Sequence, residues 1–377
     1  MLGLSVLLQF FFSRFVFLCC KSTKISRRAK IFMLLMCFLC AKCVILYSEI
    51  KDKTKEMDSI GKSALAFLRQ WTLPSAMLMG VAAYFLYTSL PFLDGTHAFV
   101  SSAISIVQPL LIFVMLLLTF LKIRPRQLHL EPWHLYGILL QAGLFVLCAL
   151  AVRLLPDSHW NVVIEGGMLC LICPTATAAA VVTGKLGGNQ ASLTTYTILI
   201  NLVVALVVPA VIPWLHPHGE MTFLGNAARI LAKVFPLLFC PFLAAIFIRR
   251  FLPRVAQSMT SVRDLAFYLW AVSLSLAIAV TVRSIVHSQC PWPFQAGIAA
   301  SSLMACFLQF AIGRWMGAHY GDRITVAQSL GQKNTVFAIW MGYTFLTPVT
   351  SIAGGFYSVW HNVYNSYQLA RKAKQKQ

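Results

Sequence analysis

Lys333 stands within Gly331-Gln-Lys-Asn-Thr335, in the middle of an otherwise apolar stretch. Placing an ammonium at the centre of a membrane helix costs about 2.5–3.5 kcal/mol, and such residues usually face a cavity or partner and mark function. A second polar interruption, Cys173-Pro-Thr-Ala-Thr-Ala-Ala-Ala180, precedes Thr183-Gly-Lys-Leu-Gly-Gly188. Pro174 has no backbone N–H and its ring opposes the preceding helical turn. Groups freed at such a break need a partner helix, water or a ligand. Two breaks that met would present opposed helix ends, whose positive N-termini favour anions. The chemistry expected is therefore anion binding by Lys333, Asn334, Thr335, Thr177 and Asn201, with helix breaks at Pro174 and Gly331. Two blander readings stay open: Pro174 as a simple kink, and Lys333 snorkelling to the surface or bonded in neutral form to freed carbonyls.

Other reactive spacings point elsewhere. Ser329 and Lys333 lie four apart, on one face of an unbroken helix, and would form a Ser/Lys dyad there; Gly331 between them argues against it. No H-E-x-x-H metalloprotease motif occurs. Asp94, Glu131, Asp157, Glu165, Glu220, Asp264 and Asp322 all fall at the ends of apolar runs or in loops, so no carboxylate pair is available for acid–base work. Cys37-x-x-Cys40-x-x-Cys43 and Cys170-x-x-Cys173 have ligand-like spacing without further ligands, so the cysteines read as packing residues and no metal is expected. His319 and His361 read as helix-end residues and His216 and His218 as loop residues, since none has an evident carboxylate partner. Asn362 and Asn365 either face the site or bond neighbouring helices; Asn201, one turn after Thr197, is the stronger candidate.

The elements that must position these residues follow from composition. Of 377 residues 59% are hydrophobic and 11% charged, against about 45–50% and about 25% in soluble domains. A water-soluble enzyme and a disordered chain are excluded, and the runs lack the alternation of a membrane barrel. The net charge of +20 is spread in short clusters rather than one patch, so no nucleic acid is expected. Apolar runs at 72–91, 100–122, 134–155, 162–183, 191–215, 226–251, 265–286, 296–318, 324–344 and 346–368 predict ten transmembrane helices. With the N-terminal side inside, Lys122, Arg124, Arg126, Lys185, Arg249, Arg250, Arg254 and the tail Arg371-Lys-Ala-Lys-Gln-Lys376 fall inside. Outside segments keep only Arg153, Arg229, Lys233 and Arg283. That asymmetry puts both termini in the cytoplasm, and a bacterial inner membrane is expected. Trp71, Trp133, Trp160, Trp214 and Trp292 read as interface anchors. Residues 1–56 do not fit this scheme and are expected to be an extension outside the native fold, with Met57 an alternative start.

The breaks fall in the fourth and ninth runs, so each is fourth in its half. Cys173 and Gly331 are 158 residues apart, and Pro74 and Pro236 in the leading runs 162. The pattern predicts two inverted five-helix repeats, 57–215 and 216–370, followed by a basic tail, 371–377. Such repeats hold their substrate where broken helices meet.

Cys173 to Ala180 resembles the Cys-Pro-Gly-Gly-Thr-Ala-Ser-Asn core of the bile acid:sodium symporter family. Thr325 to Thr335 is similar to that family's ninth-span pattern, Thr-x-x-x-Glu-x-Gly-x-Gln-Asn-Ser. Gly313 to Arg323 and Gln141 also match. The resemblance covers about residues 60–370. It implies a panel domain (spans 1, 2, 6 and 7), a core domain (spans 3–5 and 8–10), and fourth and ninth helices that cross in the core. The same comparison shows departures. The family's sodium-binding Ser-Asn is Ala179-Ala180 here, its shared acidic residue falls at Ser329, and its Gln before the Asn is Lys333. Thr177, Thr197, Gln141 and Asn334 remain, and Gln332 stands where the family often has Met. A hard cation needs converging oxygens, and Lys supplies none.

The expectation is a secondary transporter of a small organic anion, bile acid-like or a carboxylate. The Lys333 ammonium would replace the sodium charge and hold the broken helices together. A sodium-coupled symporter, a proton-coupled carrier, a membrane-embedded enzyme and a ligand sensor are the alternatives. Beyond the anion and the bilayer no partner is indicated, and oligomeric state is not legible.

Overall fold

The computed structural model describes residues 72–375, apart from 124, 156–157, 159, 217–221 and 262–264. The expectations placed on 1–56, Met57, Trp71 and the Cys37–Cys43 spacing lie outside the described residues, as does His218.

The chain is helical throughout its described length, with no β-strand there. Its helices are α1 (Thr72–Thr88), α2 (His97–Lys122), α3 (Pro132–Leu154), α4 (Asn161–Ile172), α5 (Ala179–Leu186), α6 (Gln190–Leu215) and α7 (Phe223–Leu238). There follow α8 (Cys240–Phe251), α9 (Pro253–Ser261), α10 (Leu265–Val286), α11 (Trp292–His319), α12 (Arg323–Gly331), α13 (Thr335–Phe345) and α14 (Pro348–Lys374). Side chains that accept orphan N–H groups fix several starts: Asn189 at α6, Thr222 at α7 and Asp322 at α12. At α3 the Glu131 carboxylate and the His134 imidazole cap reciprocally. Gly187, at φ 92°, closes α5.

Each apolar run therefore carries helix, but the elements differ in kind. Among the described residues six stretches are long and apolar enough to cross a membrane: His97–Lys122, Pro132–Leu154, Gln190–Leu215, Phe223–Phe251, Tyr268–Val286 and Trp292–His319. The fourth and ninth runs are each two short helices, α4 with α5 and α12 with α13, neither long enough to span alone. The tenth, α14, is helical for 27 residues yet polar along one face.

In the packing, α1 lies on α10, and α2 on α8 and α10; α3 packs on α4 and α6, α11 on α4, α12 and α14, and α13 on α14; α7 on α6 and α10 on α14 link these sets. A continuous apolar core joins them, including Ile112 and Leu116 of α2, Phe145 of α3, Met168 of α4, Val204 of α6 and Phe337 of α13.

Trp160, Trp214 and Trp292 are exposed, as anchors are, but Trp133 is a correction to the anchor reading. It is fully buried, stacks on Tyr196 and donates its indole N–H to Glu131 at 2.7 Å. Its apolar body is core and its one donor is satisfied locally.

Candidate functional site

The two broken helices meet. Helix α4 stops at Ile172 because Pro174 cannot continue it, and Cys173 turns extended at φ −50°, ψ 136°. Helix α12 stops at Gly331, Gln332 is extended at φ −91°, ψ 96°, and Asn334 caps α13 by accepting from the Phe337 N–H at 3.2 Å. The unwound segments pair antiparallel through Thr175 and Lys333. Ala176 N–H donates to Gln332 O and Asn334 N–H to Pro174 O, each at 2.8 Å. The Thr175 hydroxyl adds a bond to Ser329 O at 2.7 Å, and the Tyr357 hydroxyl donates to Gly331 O at 2.8 Å. Much of the backbone freed by the two breaks is thus satisfied at the crossing itself. A Cβ at Gly331 would lie 2.4–2.6 Å from three ring carbons of Phe310, so only glycine fits there.

Lys333 lies in this crossing, 1% exposed. Its Nζ has no hydrogen-bond partner among the described residues. It neither snorkels nor bonds the freed carbonyls, and the role expected of it in holding the helices together is corrected: backbone pairs do that. The thiols of Cys173, Cys170 and Cys306 lie near Lys333. Buried polar atoms without a partner gather along the same segment, at Ser329 Oγ, Gln332 Oε1 and Asn334 Nδ2. Since Ser329 Oγ and Lys333 Nζ both lack partners, the two side chains do not form a dyad.

The other candidate residues divide. Asn201 of α6 is buried with both side-chain polar atoms unpartnered. Thr335 is buried, and its N–H donates to Lys333 O at 3.0 Å. Gln141 of α3 donates to Leu171 O at 2.8 Å and Cys173 O at 3.4 Å, bracing the end of α4, while its side-chain oxygen accepts from the Tyr196 hydroxyl. The Thr197 hydroxyl donates to Leu193 O in its own helix at 2.9 Å. Ala179 is buried and Ala180 half-buried at the start of α5, offering no side-chain oxygen. Thr177 is only half-buried, whereas Thr175, which sequence reasoning passed over, is fully buried at the crossing. The signal for it was its place directly after Pro174.

Two further readings are corrected. Glu165, near the start of α4, is itself buried. It is 3% exposed and accepts from His216 Nε2 at 2.9 Å and from the Thr350 hydroxyl at 3.1 Å. His216 therefore has a carboxylate partner, and that hydrogen bond holds its pKa above the ordinary imidazole value. His361 lies in mid-α14, buried, because that helix runs on to Lys374. Asn362 donates to Ser358 O at 2.6 Å within α14, and Asn365 accepts from Gln328 of α12 at 2.9 Å.

No family model matches the chain. A Bacillus subtilis (strain 168) protein named an uncharacterized sodium-dependent transporter, YocS, is 22% identical to it over 268 residues, covering 67% of this chain and 78% of that protein. Such similarity, with the apolar helices, supports a membrane transporter.

Proposed function

We propose that the chain is a secondary transporter that moves a small organic anion by alternating access, with the positive charge of protonated Lys333 in place of bound sodium. The single observation that carries this reading is the buried, unpartnered Nζ at the crossing of two broken helices. An intramembrane charge of that kind marks a substrate or ion path, and a carboxylate or sulfate would satisfy it. Thr177, Asn201, Asn334 and Thr335 would supply neutral contacts. In this reading ten spans form two inverted repeats, the group built on α3–α6 and α11–α14 moves against that built on α1, α2, α7, α8 and α10, and both termini are cytoplasmic.

A conventional sodium-coupled symporter is the second reading, favoured by the name of the Bacillus subtilis relative. Against it stands the donor set at the family-matched positions: Ala179 and Ala180 carry no side-chain oxygen, and Gln141 Oε1 is engaged by Tyr196. A hard cation needs several converging oxygens. Uptake of labelled taurocholate, a steroid sulfate and pantoate into proteoliposomes, with sodium exchanged for choline, decides between the two. Equal uptake in choline supports the Lys333 charge in that role; strict sodium dependence rejects it. Binding without uptake would instead identify a sensor.

A further inference from the structure

We propose that the ion coupled to transport is a proton, and that one face of α14 conducts it between Lys333 and the end of the bundle that carries the basic tail, with His361 as the relay. The inference rests on the transport reading for its physiological meaning, but its structural basis is separate.

Along α14, Tyr357, Ser358, His361, Asn362, Asn365 and Gln368 recur at helical spacing and form a single stripe. The first five are buried and Gln368 is half-buried, so the stripe leads from the interior toward the surface just before Arg371. At its inner end the Tyr357 hydroxyl donates to Gly331 O at 2.8 Å, two residues from Lys333, and accepts from Gln309 Nε2 at 3.1 Å. Cys306 lies within interaction reach of both Tyr357 and Lys333. The Tyr357 and His361 rings are 5.6 Å apart. At the outer end Gln328 Nε2 of α12 donates to Asn365 Oδ1 at 2.9 Å and to Gln368 Oε1 at 2.8 Å.

Packing alone does not explain this stripe. Ser358 Oγ, His361 Nδ1, Asn365 Nδ2 and Gln328 Oε1 are buried without a partner among the described residues, as is Lys333 Nζ. Each such atom costs free energy unless something else bonds it. A row of them leading to a buried amine is what a chain of hydrogen-bonded water requires. Carboxamides orient water but do not exchange protons readily; an imidazole does both. A neutral imidazole carries one donor and one acceptor nitrogen, so it can take a proton on one and release a proton from the other.

The balance is simple. A proton entering along the stripe adds to the Nζ lone pair, converting the amine to an ammonium. The ammonium pairs with a monovalent anion, and on the opposite face both leave, restoring the amine. The titratable groups facing this line from the packed elements are Cys170 and Cys173 from the α4 segment and Cys306 of α11, with Tyr357 on α14 itself. Among the described residues neither Lys333 nor His361 is ion-paired with a carboxylate.

The test needs no transported ligand. Purified full-length protein in detergent is jumped from about pH 9 to about pH 6 with an indicator dye, and proton uptake is followed by stopped flow. Wild type should show a resolved phase that is absent in Lys333→Met and slowed about tenfold or more in His361→Gln, since positioned proton transfer is commonly worth factors of that order or larger. Asn365→Ala, which interrupts the same line, should slow it too and serves if His361→Gln fails to fold. A missing phase in wild type, or a phase unchanged in both α14 variants, overturns the proposal. Vesicle uptake separates the two ideas: anion movement without the proton phase leaves transport standing and removes this pathway. A proton phase without anion movement does the reverse.

Discussion

Replacing Lys333 with Met should stabilise the protein while abolishing uptake. Met has nearly the length of the lysine stem and keeps its apolar contacts. No hydrogen bond is lost, because Nζ makes none with the described residues. The opposing terms can be weighed. Relief of the buried ammonium is worth at most about 2.5–3.5 kcal/mol on insertion scales. The C-terminal, partly negative ends of α4 and α12 at the crossing each favour a cation by about 0.3–1 kcal/mol, and the N-terminal, partly positive ends of α5 and α13 disfavour it by similar amounts, so the helix-end contributions largely cancel. What remains is a stabilisation of up to about 2.5–3.5 kcal/mol. Unfolding in mixed micelles, by denaturing detergent or heat, would read it as a higher midpoint, with proteoliposome uptake measured on the same preparation. A Lys333→Met protein that is less stable than wild type would refute the reasoning, since the amine would then have a partner that contributes more than its desolvation costs.

Three other outcomes follow from single contacts. Gly331→Ala should destabilise by about 1–3 kcal/mol, the usual range for overpacking, because its Cβ meets the Phe310 ring, itself held against Tyr364 at 4.4 Å between centroids; Phe310→Leu in the same chain should recover part of the loss, and strictly additive midpoints would count against the clash. Tyr196→Phe should cost about 1–3 kcal/mol by leaving the buried Gln141 oxygen unpaired, read as a lower midpoint in the same unfolding assay. The raised pKa of His216 makes its bond to Glu165 stabilising below the unfolded imidazole value and progressively lost as pH rises through the folded one; a melting temperature that falls across that window in wild type and not in Glu165→Gln is the expected result.

The helices and the site were legible in the sequence to different depths, for physical reasons. Apolar runs mark where backbone must satisfy itself in lipid, so all ten stretches carry helix. The breaks were legible because Pro174 and the Gly331-Gln-Lys-Asn segment violate that pattern. Which residue in a break faces its partner was not. Thr175 and Thr177 differ only in direction, and direction is set by the antiparallel pairing with a segment more than 150 residues away. Glu165 looked like a helix-end carboxylate because its partners, His216 and Thr350, come from other elements. His361 was misplaced because α14 continues to Lys374, well beyond its apolar part. Trp133 reads as an anchor and Tyr196 does not stand out, since an aromatic in an apolar helix reads alike in core and at an interface.

Under the proposed transport function, the crossing also bears on how such a carrier could dispense with a metal ion. Two unwound segments in a membrane must have their polar groups satisfied or remain costly. Here Thr175, Ala176 and Asn334 bond directly to the opposite segment, and Gln141 and Tyr357 brace its ends. A structural cation is then unnecessary to keep the breaks together, which frees the one charge present for another task. An amine that were merely structural would be expected to bond the exposed carbonyls; this one does not. Its high free energy in the unliganded protein supports a binding role, because an anion that pairs with it recovers a cost already incurred in folding. The same reasoning predicts that tighter anion binding and greater stability pull in opposite directions at residue 333.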